Sequence, residues 1–175
     1  MLKIKREPEV RIIFDGVKEA EMGEDVEGWE DEIYEYASSS PKELDELIKI
    51  FNEEKDLDDK LLLSEILVKL KCKKIIPELK KILDCSDREH QIWAAGHLIA
   101  FEDEKGVEVI KKVAKKANKY ELDFISEVLC DADNRLSVKL ILELADEYEE
   151  INKGILRSSL ENKLSQYEKE KKIRK

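Results

Sequence analysis

The two histidines are the first candidates for chemistry, because imidazole serves both as a metal ligand and as a general acid or base. His90 and His97 stand seven residues apart, which is two helical turns and about 10 Å along a helix. That separation is too long for both rings to ligate one metal ion, whereas a spacing of four residues suits it. We therefore expect no metal site.

Motifs for nucleotide binding and nucleophilic catalysis do not occur in the chain, which contains no GxxxxGK[ST], no GxGxxG and no GxSxG. Cys72, Cys85 and Cys130 are an odd number without CxxC spacing, a pattern typical of reduced thiols in a cytosolic protein. The N-terminus shows no signal-peptide apolar region, and no apolar stretch is long enough to span a membrane. We expect a cytoplasmic protein that is not an enzyme and holds no cofactor.

Carboxylate side chains are the second group of candidate functional residues, and they are concentrated near the N-terminus. Between Asp15 and Tyr36 there are ten acidic residues and a single lysine, so this segment has a net charge of −9, most of the net charge of −10 of the whole chain. Aromatic residues interleave with the acids, which favours anchoring on a basic protein partner. An alternative stays open, in which aromatic and apolar residues at helical spacing pack onto the rest of the protein while the acids are solvated. The predicted binding residues here are Trp29, Glu30, Asp31, Glu32, Tyr34 and Glu35.

A 31-residue repeat organises the rest of the chain. Leu67, Leu98 and Leu129 are equivalent under this shift. A fixed period of this size, with apolar residues at helical spacing inside it, indicates stacked helical hairpins that bury their apolar faces against neighbours. The predicted helices cover residues 41–54, 57–71, 73–84, 88–101, 105–118, 120–131, 134–149 and 152–170.

Helix-start signals recur with the same period. Each hairpin of the repeat has a first and a second helix. The predicted N-caps of the second helices are Asp56, Asp87 and Asn118. The sequence SSSPKELDEL predicts another start at Ser40, with a capping box completed by Glu43.

The repeat also predicts a second acidic surface. Asp59, His90 and Glu121 align as one exposed column, and Glu65, Gly96 and Glu127 align as another, with Gly96 leaving a notch. The predicted partner-binding residues on this surface are Asp59, His90, Glu121, Asp123, Glu127 and Asp131.

The segment DREHQIWAAGHLIAFEDEKGVEVIKKVAKKA, residues 87–117, resembles a HEAT repeat, with the small pair Ala94 and Ala95 allowing close helix approach. Its short period is most similar to HEAT-like repeats of the phycobilisome-lyase type. Gln91 stands where many HEAT units carry an arginine that makes a contact between repeats. The resemblance implies an all-α, right-handed α-solenoid of about four HEAT-like hairpins with second helices on the concave face. We expect an acidic N-terminal arm or capping segment over 1–40, the solenoid over 41–170 and a basic tail over 171–175.

These observations favour a protein-binding module over an enzyme. The expected partner is a basic protein, and our sharper hypothesis is an immunity or inhibitor protein that neutralises a basic nuclease toxin. The alternative is an enzyme-accessory or lyase-like protein that holds a small molecule in its groove, which needs exposed Trp93 and Phe124, whereas the periodicity predicts both in the core. We do not expect nucleic acid as a partner, because the chain is acidic and its lysines concentrate on the first helices of the hairpins.

Overall fold

A computed structural model describes Arg11 and residues 29–147. This part of the chain is all-α, as the periodicity predicts. It contains eight α-helices, of which the first was not among the predicted helices, and a short 3-10 turn at Lys73–Ile75 before the fourth. The helices are α1 Trp29–Ser39, α2 Pro41–Glu53, α3 Leu57–Lys69, α4 Ile76–Ile82, α5 Arg88–Ala100, α6 Glu104–Ala114, α7 Lys119–Asp131 and α8 Arg135–Glu147. The predicted helix over 152–170, the acids of 15–28 and the basic tail lie outside the described residues.

The predicted N-caps are confirmed. A side-chain oxygen of Asp56, Asp87 or Asn118 accepts hydrogen bonds from backbone amides two or three residues ahead, at 2.8 to 3.2 Å. These bonds satisfy amides that the first helical turn leaves without a partner, so each second helix begins at the same point of the repeat.

The start of α2 is confirmed only in part. Ser40 accepts a hydrogen bond from the Glu43 amide, and Pro41 occupies the first helical position. Within the described residues, however, Glu43 Oε2 is buried without a hydrogen-bond partner. The capping box predicted here is therefore half formed, whereas a complete box is present at Asn118.

The ends of the second helices repeat as well. Lys71, Glu102 and Asp133 stand 31 residues apart and have positive φ angles of 55°, 61° and 44°. After α3 and α5 the next amide reaches back to a leucine carbonyl at 2.9 Å, which completes a Schellman turn. The 31-residue period is therefore present in the backbone and not only in the apolar residues.

Replacing Glu102 by glycine is expected to raise the free energy of unfolding by about 0.5 kcal/mol, because the left-handed conformation strains a residue that has a Cβ. Urea denaturation measures this change. Glu108→Gly is the matched control, since it makes the same substitution inside α6 and should destabilise by about 1 kcal/mol. Equal destabilisation by both variants would contradict the assigned turn.

The chain divides into two compact units, Met1–Ile75 and Ile76–Lys175. In the first unit α1 packs against α2, and α2 packs against α3. Leu47, Phe51 and Leu67 are fully buried between these helices. This small core is what positions the outer face of α1.

In the second unit α5 is the central helix and packs against α4, α6 and α7. The three equivalent apolar residues of the first helices, Leu79, Ile110 and Ile141, are all buried here. The periodicity is therefore confirmed at these three positions.

The notch predicted at Gly96 is wrong. Gly96 is buried, and a Cβ added to it would lie 2.7 Å from the Cβ of Val128 on α7. The absent side chain lets α5 and α7 approach closely, and Val128 fills the space that we expected to be open.

Candidate partner-binding surfaces

The inner face of α1 holds the helix onto its unit. Ile33 is fully buried and Ala37 almost so, and the Tyr36 hydroxyl donates a 2.9 Å hydrogen bond to Glu46 Oε2 on α2. The alternative reading of this segment is therefore correct for Ile33 and Tyr36, which pack onto the unit. The side chain of Trp29 lies outside the described part.

Glu30, a predicted binding residue, is engaged with α3. Its Oε2 accepts a 2.8 Å hydrogen bond from Lys69 Nζ. This bond raises the pKa of Lys69, against the opposing effect of partial burial. The pair is half exposed, so it contributes about 1 kcal/mol at most. Glu30 therefore helps to orient α1 and is a weaker candidate for contact with a partner.

The outer face of α1 carries the remaining predicted residues. Asp31, Glu32 and Glu35 are exposed, and within the described chain none of them forms an ion pair. Tyr34 lies among them with 38% of its surface exposed. Asp31 and Glu35 are four residues apart on the helix, where like charges repel. We call Asp31, Glu32, Tyr34 and Glu35 the α1 acidic surface.

In the second unit, α7 carries a line of exposed carboxylates. Asp123, Glu127 and Asp131 follow one another at four-residue spacing and are all exposed. Tyr120 precedes them on the same face and is 64% exposed. We call these four residues the α7 acidic face, and its three carboxylates were all predicted as binding residues.

The prediction that Glu121 is exposed is wrong. Glu121 is only 8% exposed, because its Oε2 accepts a 2.7 Å hydrogen bond from the Asn118 amide and its Oε1 lies 3.1 Å from Arg88 Nε. Both oxygens are used within the fold, so Glu121 has a structural role. Asp59 and His90 were predicted to form an exposed column with Glu121, and both are half-buried.

Arg88 supplies a contact that the sequence analysis missed. Besides its ion pair with Glu121, it donates a 3.0 Å hydrogen bond to the Val113 carbonyl at the end of α6. Arg88 therefore links the start of α5 to α7 and to the end of α6. Gln91 donates a side-chain hydrogen bond to the Cys85 carbonyl.

Two aromatic side chains lie beside the α7 acidic face. Trp93 on α5 and Phe124 on α7 are in edge-to-face contact, with ring centroids 6.4 Å apart and planes at 78°. Both are half-buried, which corrects the prediction that they belong to the core. Sequence periodicity placed them one helical position from truly buried residues and could not show that their outer edges reach the surface.

Two lysines that line a cleft between first helices are paired with carboxylates. A cleft of about 450 Å³ between α4 and α6 is lined by Lys80, Lys105 and Lys112, among others. Lys80 pairs with Asp103 at 2.7 Å and Lys105 pairs with Glu108 at 2.8 Å. The cleft therefore lacks the concentrated positive charge that a phosphate-rich ligand requires.

In the described residues no helix is long and apolar enough to cross a membrane, and no group of three metal-binding side chains comes together there. No protein-family model, no curated protein and no solved structure matches the chain.

Proposed function

We propose that this chain is a non-enzymatic binding module that engages a basic protein partner through the α1 acidic surface and the α7 acidic face. One observation carries the proposal. Asp31, Glu32 and Glu35 are exposed beside Tyr34, and none of these three carboxylates forms an ion pair in the described chain.

Repulsion between these carboxylates weakens α1 itself, since like charges four residues apart cost about 0.2 to 0.5 kcal/mol per pair. A basic partner removes this repulsion and is attracted over a longer range by the same charges, which speeds its association. Tyr34 supplies a rigid, amphipathic contact of the type that dominates interface energies.

The finer form of the proposal is a HEAT-like solenoid that works in the cytoplasm as an immunity or inhibitor protein. Its carboxylates would occupy the positive cleft of a nuclease toxin in place of phosphates. The HEAT-like form draws support from helix caps and left-handed turns that recur at 31-residue intervals. The inhibitor form rests alone on the exposed carboxylates that form no ion pair in the described chain.

Reversing the α1 charges tests the proposal. Tagged wild-type chain and the variant D31K/E32K/E35K are used to capture proteins from the same native cells at low salt. We expect wild type to retain a basic protein at equal stoichiometry and the variant to retain about tenfold less, because steering and contact are both lost.

The control variant E102K/E104K/E108K makes the same change of net charge at exposed positions elsewhere. Glu102→Lys suits its left-handed turn, because Lys71 occupies the equivalent turn. The control should capture the partner as wild type does. Equal loss in both variants, or capture of the same protein by all three, would remove the α1 acidic surface from the proposal.

A further inference from the structure

The cleft between α4 and α6 is a second place where this chain could hold a ligand. Its volume of about 450 Å³ lies within the range of small-molecule sites, which is about 300 to 1,000 Å³. We propose that the cleft binds a short apolar peptide with free ends, whose ammonium group pairs with Asp84 and whose carboxylate pairs with Lys112. Neither the α1 acidic surface nor the α7 acidic face takes part, so this site is independent of the proposed function.

Two ion pairs engage most of the charged side chains of the cleft. Lys80, which follows from α4, lies 2.7 Å from Asp103 at the start of α6. Lys105 lies 2.8 Å from Glu108, one turn further along α6. Each pair brings one positive and one negative charge together, so these four side chains present little net charge to a ligand.

Asp84 and Lys112 are the lining residues whose charges are left for a ligand. Both are exposed, and neither side chain forms an ion pair or a hydrogen bond within the described chain. Leu83 and Val109 line the same cleft, and they are buried and half-buried, respectively. The cleft therefore offers one carboxylate, one ammonium group and an apolar surface from each of its two helical segments.

The separation of the two charges sets the length of the ligand. The pKa of Lys105 is raised mainly by its hydrogen bond to Glu108 and to a smaller extent by the charge of Asp84, which places Asp84 near the Lys105 end of the cleft. Lys112 lies seven residues further along α6, which is two helical turns or about 10 Å. An extended chain spans about 3.3 to 3.6 Å per residue, so a peptide of about three residues reaches from one charge to the other.

Other classes of ligand match this arrangement less well. A single amino acid carries its ammonium and carboxylate groups on one carbon, so it cannot reach both Asp84 and Lys112. A phosphate-rich ligand or a dicarboxylate would bring a negative charge towards Asp84. A purely apolar ligand would remove water from both charged groups without replacing its hydrogen bonds. A short peptide has opposite charges at its two ends and apolar side chains between them for Leu83 and Val109.

Binding is tested with the isotope-labelled full chain and the synthetic tripeptide leucyl-alanyl-leucine, whose ends are free. Backbone amide NMR signals are followed as the peptide is added. We expect saturable shifts at Asp84, Val109 and Lys112, with a dissociation constant of about 1 mM or lower. The N-acetylated and the C-amidated forms of the peptide should each bind about threefold more weakly, because each lacks one charge of a partly exposed ion pair.

Each variant is matched to one end of the peptide. Asp84→Asn should weaken binding of the free peptide about threefold and leave binding of the N-acetylated peptide unchanged, because that form has no ammonium group. Lys112→Gln should have the same effects on the free and the C-amidated peptides. Glu104→Gln and Lys119→Gln remove the same charges at exposed positions that do not line the cleft, and they should leave both affinities unchanged. The amide spectrum of each variant shows whether it is folded.

Three results would overturn the proposal of a peptide site. They are the absence of saturable shifts at the amides of the cleft, equal affinity for the free and the capped peptides, and equal weakening of the free and the N-acetylated peptide by Asp84→Asn. None of these variants changes α1 or α7 outside its first residue. Peptide binding and capture of the basic protein are therefore measured separately, and either can fail without the other.

Discussion

Replacing Gly106 by alanine is expected to destabilise the second unit by about 2 kcal/mol, a typical cost of overpacking. Gly106 lies in the first turn of α6, against α5. A Cβ added there would lie 2.5 Å from the Ala95 carbonyl oxygen and 2.9 Å from Ile99 Cγ1. The carbonyl belongs to the backbone of the central helix, so it cannot move aside as a flexible side chain would, and α6 must shift outward.

Helix propensity acts in the opposite direction. Alanine is better than glycine inside a helix by about 1 kcal/mol, so the sign of the measured change decides whether the close approach exists. Chemical denaturation of wild type and Gly106→Ala gives this sign, with Glu108→Ala as the control on an exposed position of α6. Net stabilisation by Gly106→Ala would show that α5 and α6 are farther apart than described.

Acidification is expected to destabilise the protein through His97. His97 lies on α5 with 9% of its surface exposed, and burial lowers its pKa to about 3, against 6.5 for a free histidine. Between pH 6.5 and 3 the unfolded chain therefore binds a proton that the folded chain excludes. The stability that this residue supports is complete above pH 6.5, falls as the pH is lowered and is gone near pH 3.

From pH 7 to pH 5 the expected loss from His97 is about 2 kcal/mol, since each pH unit below the unfolded pKa costs about 1.4 kcal/mol. His97→Val is the informative variant, because Ile66 and Val128 stand at the equivalent positions of the repeat. Urea denaturation at both pH values should show a smaller loss in the variant by about this amount. His90 is present in both proteins, so its contribution cancels. Identical losses would place His97 in contact with water.

The predictable part of the fold was local. Asp56, Asp87 and Asn118 were identified as N-caps because a cap is decided by a side chain and the amides within three residues of it. The apolar repeat likewise gave the buried leucines, since burial of one helical face recurs with the helix itself. For these features the sequence contains the whole physical cause.

The errors arose where two distant segments meet. The exposure of Glu121 could not be derived because its partner Arg88 lies 33 residues earlier. Gly96 looked like a surface notch because nothing near it in sequence indicates that Val128 packs against it. Trp93 and Phe124 fit the core pattern, yet their large rings extend beyond it and reach the surface.

The sequence predicted which acidic residues form the candidate surfaces, but it did not predict which of them contact the fold. The acidic residues of α1 were found from charge and those of α7 from the 31-residue repeat, and most of them are exposed. Charge alone could not distinguish Asp31 and Glu35, which point outward, from Glu30, which pairs with Lys69. Only the packing of α1 against α2 and α3 shows which carboxylates contact the fold and which face outward.

The central claim is that exposed carboxylates attract a basic protein, and the most direct measurement is the association rate constant of the captured partner at increasing salt. Between about 50 and 500 mM the screening length shortens about threefold. The account predicts that the rate constant falls by about tenfold or more over this range for wild type. It further predicts that D31K/E32K/E35K is slow throughout. A rate constant that is independent of salt and equal in both proteins would contradict the claim.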